Sequence, residues 1–219
     1  MKRKLIERNR ICDSVTDSCC MSEFSDQAAI GVVGLGVMGS QLSLNLAQRC
    51  QTRVAGFDLD ADKASAVATL AKVLPTLLTN SLQSMRGQPV CFSSCRPTLQ
   101  QDQHDILGEG SVVSFTSLET FVAQLALPRK VILLVPAGNA IESAISALLP
   151  LLNHGDAIVD MGNEWFELTE ERFERASQEG ILYMGCGLSG GSEGARHGPC
   201  LMPGGSKAAW DMFRPYLEV

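Results

Sequence analysis

A glycine-rich turn near the start of the chain has the spacing of a phosphate-binding loop. In order, its residues are Gly34, Leu35, Gly36, Val37, Met38 and Gly39. In a G-x-G-x-x-G pattern the first glycine permits a tight turn, the second lets the backbone approach a pyrophosphate, and the third allows a helix to pack closely on a strand. The N-terminus of that helix then faces the phosphates. The pattern predicts a dinucleotide site if a strand precedes the turn and a helix follows it.

An acidic residue follows the next apolar run, where an adenosine ribose would be bound. Asp58 ends the run "VAGFD", and a carboxylate there can accept hydrogen bonds from the ribose hydroxyl groups. The same carboxylate would repel a 2′-phosphate, and the following "LDADK" contains no arginine to hold one. These residues favour NAD over NADP. The alternative is that Asp58 or Asp60 only caps the next helix.

Three later turns are rich in small residues and are expected to meet at one edge of a sheet. "VPAGN" follows the fourth predicted strand, "DMGNEW" the fifth and "GLSGG" the sixth. Ligands of open parallel sheets bind beyond the carboxyl ends of the strands. Small residues would let a nicotinamide ring lie against the backbone, and Asn163 offers both a donor and an acceptor. Each turn alone could be an ordinary connection. The stretch 187–205 holds so much glycine that a helix or a strand is not expected within it.

The elements that must position these turns follow from an alternation of strand and helix patterns. "AIGVV" precedes the glycine turn, and "VILLV" is the most apolar strand. Ile141, Ile145, Leu148 and Leu152 share one face of a predicted helix, and Thr116 with Glu119 has the spacing of a capping box. About six such alternations predict a Rossmann-type α/β fold, with a doubly wound, mostly parallel sheet and helices on both faces.

Two segments lack this periodicity. Residues 1–28, which begin with the basic "MKRKLIERNR", are expected to be a disordered extension, with Met21 as an alternative start. Residues 79–110 contain many turn formers and are expected to form a surface insertion. Residues 29–219, which include this insertion, are predicted to form one domain. A cytoplasmic location is expected, because a transit peptide is normally longer and poorer in acidic residues than this start.

The composition argues against several classes of function. The net charge of −6 disfavours nucleic-acid binding, and the apolar runs are too short to cross a membrane. The eight cysteines show no disulfide-framework spacing. Cys91, Cys95 and His104 are weak candidates for metal ligands, and no metal is expected.

The sequence resembles the 6-phosphogluconate dehydrogenases, the oxidative decarboxylating enzymes of the pentose phosphate pathway. The similar segments are "GLGVMGSQLSLNLA", "VILLVPAGNAIESAISALLPLLNHGDAIVDMGNEW" and "GLSGGSEGARHGPCLMPGG". Related β-hydroxyacid dehydrogenases, such as 3-hydroxyisobutyrate dehydrogenase, share the glycine turn and an S-G-G. They lack the longer run from Glu193 to Gly205, which makes this motif specific.

The resemblance implies NADP as the family cofactor, 6-phosphogluconate as the substrate and a homodimer for the full-length protein. The cofactor-binding residues it implies are Gly34, Leu35, Gly36, Val37, Met38, Gly39, Asp58, Leu59, Asp60, Val135, Pro136, Ala137 and Asn163. The substrate-binding residues it implies are Asn163, Ser189, Gly190 and Gly191.

Several positions depart from the family pattern. Asp58 and Leu59 replace an asparagine and the arginine that holds the 2′-phosphate, which again favours NAD. Pro136 replaces a lysine, Met161 replaces a glycine, and His197 replaces an aromatic residue.

The catalytic residues of the family have no counterpart in this sequence. Its lysine base and glutamate acid belong to a later helical domain, and no H-x-x-K-x-x-H-N segment occurs here. We therefore expect no catalytic residue in this chain, and weak dinucleotide binding with little or no turnover. The alternatives are a β-hydroxyacid dehydrogenase with another substrate and a non-catalytic dinucleotide-binding fragment.

Overall fold

The computed structural model describes residues 27–84 and 110–218, and for residues 73–84 it describes the backbone only. The predicted extension up to residue 26, most of the predicted insertion, and Cys91, Cys95 and His104 lie outside the described residues.

Seven strands form a single sheet in the order β3-β2-β1-β4-β5-β6-β7. The first six strands pair in parallel and β7 pairs antiparallel with β6. The strands are β1 Ile30–Val33, β2 Arg53–Phe57, β3 Ser111–Phe115, β4 Lys130–Leu133, β5 Ala157–Asp160, β6 Leu182–Ser189 and β7 Cys200–Gly205. This strand order is that of a Rossmann fold with one added antiparallel strand, and it confirms the predicted fold class.

Seven helices connect or follow the strands in the described residues. They are α1 Val37–Arg49, α2 Ala61–Ser84, α3 Leu118–Ala123, α4 Asn139–Leu148, α5 Phe166–Gln178, α6 Gly191–His197 and α7 Lys207–Leu217. Helix α2 extends into the beginning of the segment predicted as an insertion. Helix α4 ends before Leu152 and continues as a 3-10 turn over residues 149–151.

Two buried apolar clusters show that helices cover both faces of the sheet. One cluster joins Val32 and Ile132 to apolar residues of α1, α2, α6 and α7. The other joins Val33 and Leu133 to residues of α3, α4 and α5. The predicted apolar face of α4 belongs to the second cluster, where Ile141, Ile145 and Leu148 are fully buried. Alternate residues of each strand point to opposite faces of the sheet. The helices on both faces therefore help to hold the strand tips in place.

The glycine-rich stretch 187–205 is more regular than expected, and that expectation was wrong. It holds the end of β6, helix α6 and strand β7. Backbone pairing along β6 and β7 supplies the order that glycine lacks. Helix α6 is fixed on α1, since the Asn45 side-chain amide donates to the Ala195 carbonyl at 3.0 Å and Arg196 donates to Gln48 at 2.6 Å. Tertiary contacts therefore override the low intrinsic propensity of these residues.

The cap of α3 also differs from the predicted capping box. The N-cap is Ser117, whose hydroxyl oxygen accepts from the Thr120 N–H at 3.4 Å. The same hydroxyl donates to Glu119. Ser117 takes the role expected of Thr116, because the helix begins one residue later than the motif predicts.

Candidate functional site

The glycine turn between β1 and α1 has a separate geometric reason for each glycine. Gly34 has φ +95°, in the left-handed region that favours glycine. A Cβ at Gly39 would lie 1.8 Å from the Gly34 carbonyl oxygen, so α1 can approach the turn only without a side chain there. A Cβ at Gly36 would meet no atom within 4 Å. Gly36 therefore faces open space, as a backbone that approaches a pyrophosphate requires.

The other residues of the turn present backbone rather than reactive side chains. Leu35 is buried, Met38 packs partly on the core, and Val37 is exposed. None of these three side chains carries a group that could transfer a proton. The turn can bind phosphate through its N–H groups and the N-terminus of α1.

Asp58 fastens the glycine turn to the tip of β2. Its Oδ2 accepts from the Leu35 N–H at 2.8 Å and its Oδ1 accepts from the Asp60 N–H at 2.9 Å. Asp60, rather than Asp58, caps α2, because it accepts from the N–H groups of Asp62 at 3.0 Å and Lys63 at 3.4 Å. These N–H groups lower the pKa of Asp60. The capping alternative therefore holds for Asp60 alone.

A crevice of about 1010 Å³ opens beside this turn, over the tips of β1, β2 and β4. Six of its lining residues were predicted cofactor residues: Gly34, Gly36, Asp58, Leu59, Val135 and Pro136. Leu59 is 87% exposed, where the family arginine would stand. Its volume and its position at the strand tips suit a dinucleotide.

The far end of the crevice is lined by residues that the sequence analysis missed. They include Lys63, Thr116, Ser117, Leu118 and Glu119. The register of β3 beside β2 places the turn before α3 at this edge. A signal existed, since consecutive parallel strands end at one edge, but the motif found in this turn, the capping box of Thr116 and Glu119, indicated the start of a helix and not a ligand contact.

The turns after β4 and β5 touch each other. A Cβ at Gly162 would lie 3.0 Å from the Val135 carbonyl oxygen and 2.5 Å from Ile141 Cδ1. Ala137 is exposed beside this contact. The absence of a side chain at Gly162 therefore allows the two tips that were expected to meet to pack directly on each other.

Asn163 links the tips of β5 and β6. Its backbone has φ +55°, and its Oδ1 accepts from the Leu188 N–H at 3.4 Å. It lines a second cavity of about 790 Å³, together with Glu164, Cys186 and Gly187. Burial raises the pKa of the Cys186 thiol to about 11, so it remains protonated at neutral pH.

The predicted substrate residues Ser189, Gly190 and Gly191 lie at the exposed end of β6. They line neither of the two cavities just described. Gly190 has φ +122° and Gly191 φ +61°, so both use conformations that favour glycine. Their backbone is accessible to a ligand placed beyond the strand tip.

A buried ionic cluster behind the β4 and β5 turns was not predicted. Arg172 Nη1 lies 3.0 Å from Glu164 Oε2 and 3.8 Å from Asp160 Oδ2. The Tyr183 hydroxyl donates to Asp160 at 2.9 Å. Burial raises the pKa of Asp160. Hydrogen bonds from the N–H groups of Trp165 and Gly138 lower the pKa of Glu164.

The lowered pKa of Glu164 makes a prediction about acid stability. The ionised Glu164 side chain stabilises the fold at pH values above the unfolded-state pKa of about 4.3. This stabilisation is lost as the pH falls through the lower folded-state pKa. Glu164→Gln is expected to flatten the fall in Tm measured between about pH 6 and pH 3.5. The raised pKa of Asp160 acts in the opposite direction, and the Glu164 charge contributes to it, so the comparison of variant with wild type reports the net change at both carboxylates.

The control for this prediction is Glu167→Gln, an exposed position in the first turn of α5, three residues after Glu164. It is expected to follow the wild-type curve. An acid-induced fall in Tm as steep for Glu164→Gln as for wild type would contradict the prediction.

Within residues 27–84 and 110–218, no group of three or more His, Cys, Asp or Glu side chains is placed to hold a metal ion. No helix in the described part of the chain is both long and apolar enough to cross a bilayer.

Comparison with known proteins points to one family. The family model described as the NAD binding domain of 6-phosphogluconate dehydrogenase matches residues 29–219. The chain is 40% identical over 189 residues to a rice protein named 6-phosphogluconate dehydrogenase, decarboxylating 2, chloroplastic. That match covers 86% of this chain and 30% of the rice protein.

The name of a second curated relative states which cofactor that protein uses. The NAD(+)-dependent, decarboxylating 6-phosphogluconate dehydrogenase of Bacillus subtilis is 35% identical over 189 residues, covering 86% of this chain and 32% of its own length. The chain thus spans about a third of the length of the curated relatives it matches.

A solved structure supports the same assignment. It is that of Plasmodium falciparum 6-phosphogluconate dehydrogenase, described in its apo form and in complexes with NADP+ and with 6-phosphogluconate. It superposes with a TM-score of 0.65 at 29% identity, over 87% of this chain and 33% of that one.

Proposed function

Since the chain belongs to the 6-phosphogluconate dehydrogenase family and carries its NAD-binding domain, we propose that it binds a nicotinamide dinucleotide in the crevice of about 1010 Å³. The observation that carries this proposal is the open space at Gly36, above the N-terminus of α1. The pyrophosphate would lie there, the adenosine beside Asp58, and the nicotinamide beside Val135 and Pro136. When bound, the nicotinamide supplies a hydride acceptor.

We propose that NAD is preferred over NADP. Asp58 is held in place by two N–H groups, so its carboxylate stays where a 2′-phosphate would come close. The exposed Leu59 offers no charge to that phosphate. Lys63 lines the crevice but pairs with Asp60 at 3.4 Å. The Bacillus subtilis relative is named as NAD(+)-dependent, whereas NADP+ is described as the cofactor of the Plasmodium falciparum enzyme, so members of the family use both.

Separate fluorescence titrations with NADH and with NADPH test the proposal, with ATP as the control nucleotide. We expect saturable binding of NADH, weaker binding of NADPH and no displacement by ATP at equal concentration. Failure of both dinucleotides to bind would refute the proposed function, and tighter binding of NADPH would refute the cofactor preference.

For the whole protein, we propose oxidative decarboxylation of 6-phosphogluconate to ribulose 5-phosphate and CO₂. Asn163 would contact both cofactor and substrate, and Ser189, Gly190 and Gly191 would bind the sugar acid through hydroxyl and N–H groups. The support is the family and the substrate named for the Plasmodium falciparum structure. A panel of hydroxyacids tests it, because a better substrate than 6-phosphogluconate would favour a β-hydroxyacid dehydrogenase.

We propose that the 219-residue chain binds the cofactor without completing this reaction. The described residues lining the cavity beside Asn163 include no lysine that could act as the base. Loss of one positioned acid–base group lowers rates by roughly 10²–10⁴-fold. A coupled assay for ribulose 5-phosphate is therefore expected to show no turnover above background, and measurable turnover by the purified chain would contradict this.

The proposals for assembly and location concern the complete protein. We propose a homodimer, and light scattering tests this oligomeric state. We propose no nucleic-acid or membrane partner. We propose the cytoplasm as the compartment, with an organelle as the alternative suggested by the basic start of the sequence. A reporter fused to residues 1–28 distinguishes these two locations.

A further inference from the structure

One arginine on α5 serves three carboxylates from different parts of the chain. The Arg172 side chain is 5% exposed. Its Nη1 lies 3.0 Å from Glu164 Oε2 and 3.8 Å from Asp160 Oδ2, and its Nε lies 3.4 Å from Glu142 Oε2. Glu142 belongs to α4, Asp160 ends β5, and Glu164 lies between β5 and α5. The guanidinium therefore joins the segments on either side of two neighbouring strand tips.

Two of these carboxylates each hold one of the turns in the nicotinamide half of the site. Glu164 Oε2 accepts from the Gly138 N–H at 2.6 Å. Asp160 Oδ1 accepts from the Gly162 N–H at 2.9 Å. Gly138 belongs to the turn after β4, and Gly162 directly precedes Asn163. The hydrogen bonds thus lie in the same turns as Val135, Pro136 and Asn163, the residues proposed to meet the nicotinamide.

The backbone has a positive φ in both of these turns. Gly138 has φ +85° and Asn163 has φ +55°. Glycine adopts such φ values freely and asparagine does so more readily than most residues, so hydrogen bonds rather than backbone strain fix these turns. The Asn163 contact with the Leu188 N–H is long, at 3.4 Å. The hydrogen bond from the Gly162 N–H to Asp160 is therefore the shorter restraint on this turn.

The two turn-holding carboxylates depend on Arg172 for their charge balance. Their side chains are 2% and 7% exposed, so neither is well solvated. Two buried negative charges in one cluster are strongly unfavourable without a paired cation. The planar guanidinium can donate in several directions at once, which an ammonium group on a single tether does less well.

We propose that Arg172 is a positioning residue that sets the turns after β4 and β5 relative to each other, and with them the nicotinamide half of the cofactor site. It acts through Glu164 and Asp160 and contacts no cofactor itself. This inference rests on the proposed dinucleotide binding. The adenosine half depends on Asp58 and the glycine turn and lies across β1 from the cluster.

This arrangement predicts a selective effect rather than a general one. Wild type is expected to bind NADH more tightly than ADP-ribose, which lacks the nicotinamide. Arg172→Gln is expected to reduce that preference roughly tenfold, with ADP-ribose affinity unchanged. Arg172→Lys keeps the charge and is expected to retain part of the preference. The control is Arg175→Gln, because Arg175 lies on the same helix and pairs with Glu142.

Amide hydrogen exchange provides a readout that needs no ligand. The N–H groups of Gly138 and Gly162 are expected to exchange faster in Arg172→Lys and Arg172→Gln, and at the wild-type rate in Arg175→Gln. If Arg172→Gln does not fold, Arg172→Lys carries both measurements.

The outcomes separate this inference from the proposed function. A wild-type chain that binds neither ligand refutes the proposed function and this inference with it. Binding by wild type, combined with equal losses for NADH and ADP-ribose or with no change in the folded variants, refutes this inference alone. So does a wild type that shows no preference for NADH.

Discussion

Gly39→Ala is expected to destabilise the chain and abolish dinucleotide binding. The new Cβ would lie 1.8 Å from the Gly34 carbonyl oxygen, and this contact is with backbone that no side-chain rotation can relieve. Overpacking of this kind costs about 1–3 kcal/mol, which at this chain length lowers Tm by roughly 2–12 °C. Thermal unfolding followed by circular dichroism measures the loss.

Gly36→Ala is the matched control, because it adds the same methyl group to the same turn, three residues before Gly39. Its Cβ would meet no protein atom within 4 Å, and its φ of −64° is open to alanine. We expect a nearly unchanged Tm but dinucleotide affinity weakened by about tenfold, since the methyl group enters the space for the pyrophosphate. Equal Tm values for Gly36→Ala and Gly39→Ala would contradict the geometry of the turn.

The second large effect concerns cofactor choice. Leu59→Arg is expected to shift the preference toward NADP, because an exposed guanidinium at the rim of the crevice can donate to the 2′-phosphate. A hydrogen bond to a charged group stabilises by about 1.5 kcal/mol or more, so the NAD-to-NADP affinity ratio should change roughly tenfold. Adding Asp58→Asn should extend the shift, since it removes the repelling charge and keeps an oxygen for the Leu35 N–H.

Leu59→Gln is the control for this experiment, because it is polar and neutral. Its affinity ratio is expected to match that of wild type. Competitive titration with both dinucleotides gives the ratios, and an unchanged ratio in Leu59→Arg would show that another residue governs the 2′ position. Lys63, which lines the same crevice, would then be the first residue to replace.

The sequence could predict the strand tips and the glycine turn because their causes are local. Each glycine of the turn has a role set by its spacing from the others, and parallel strands end at one edge. Strand β7 and helix α6 were missed because the prediction used the low helix and strand propensity of glycine, which is a local property. The order of these two elements comes instead from contacts with β6 and α1.

The ionic cluster could not be predicted for a related reason. Arg172 meets Glu164 from 8 residues away and Glu142 from 30 residues away, and only the packing of α5 brings them together. The same holds for Asp58, whose bond to Leu35 spans 23 residues. The sequence indicated that Asp58 is placed to meet a ligand, but not that it also fastens the turn.

The most direct test of the central claim locates the dinucleotide on the chain. Amide NMR spectra recorded during titration with NAD are expected to shift at Leu35, Gly36 and Val37 and at Val135 and Asn163, along the proposed crevice and its nicotinamide end. A saturable shift confined to these turns would support the account. No shift at the glycine turn with NAD in excess, or shifts confined to the cavity beside Cys186, would contradict it.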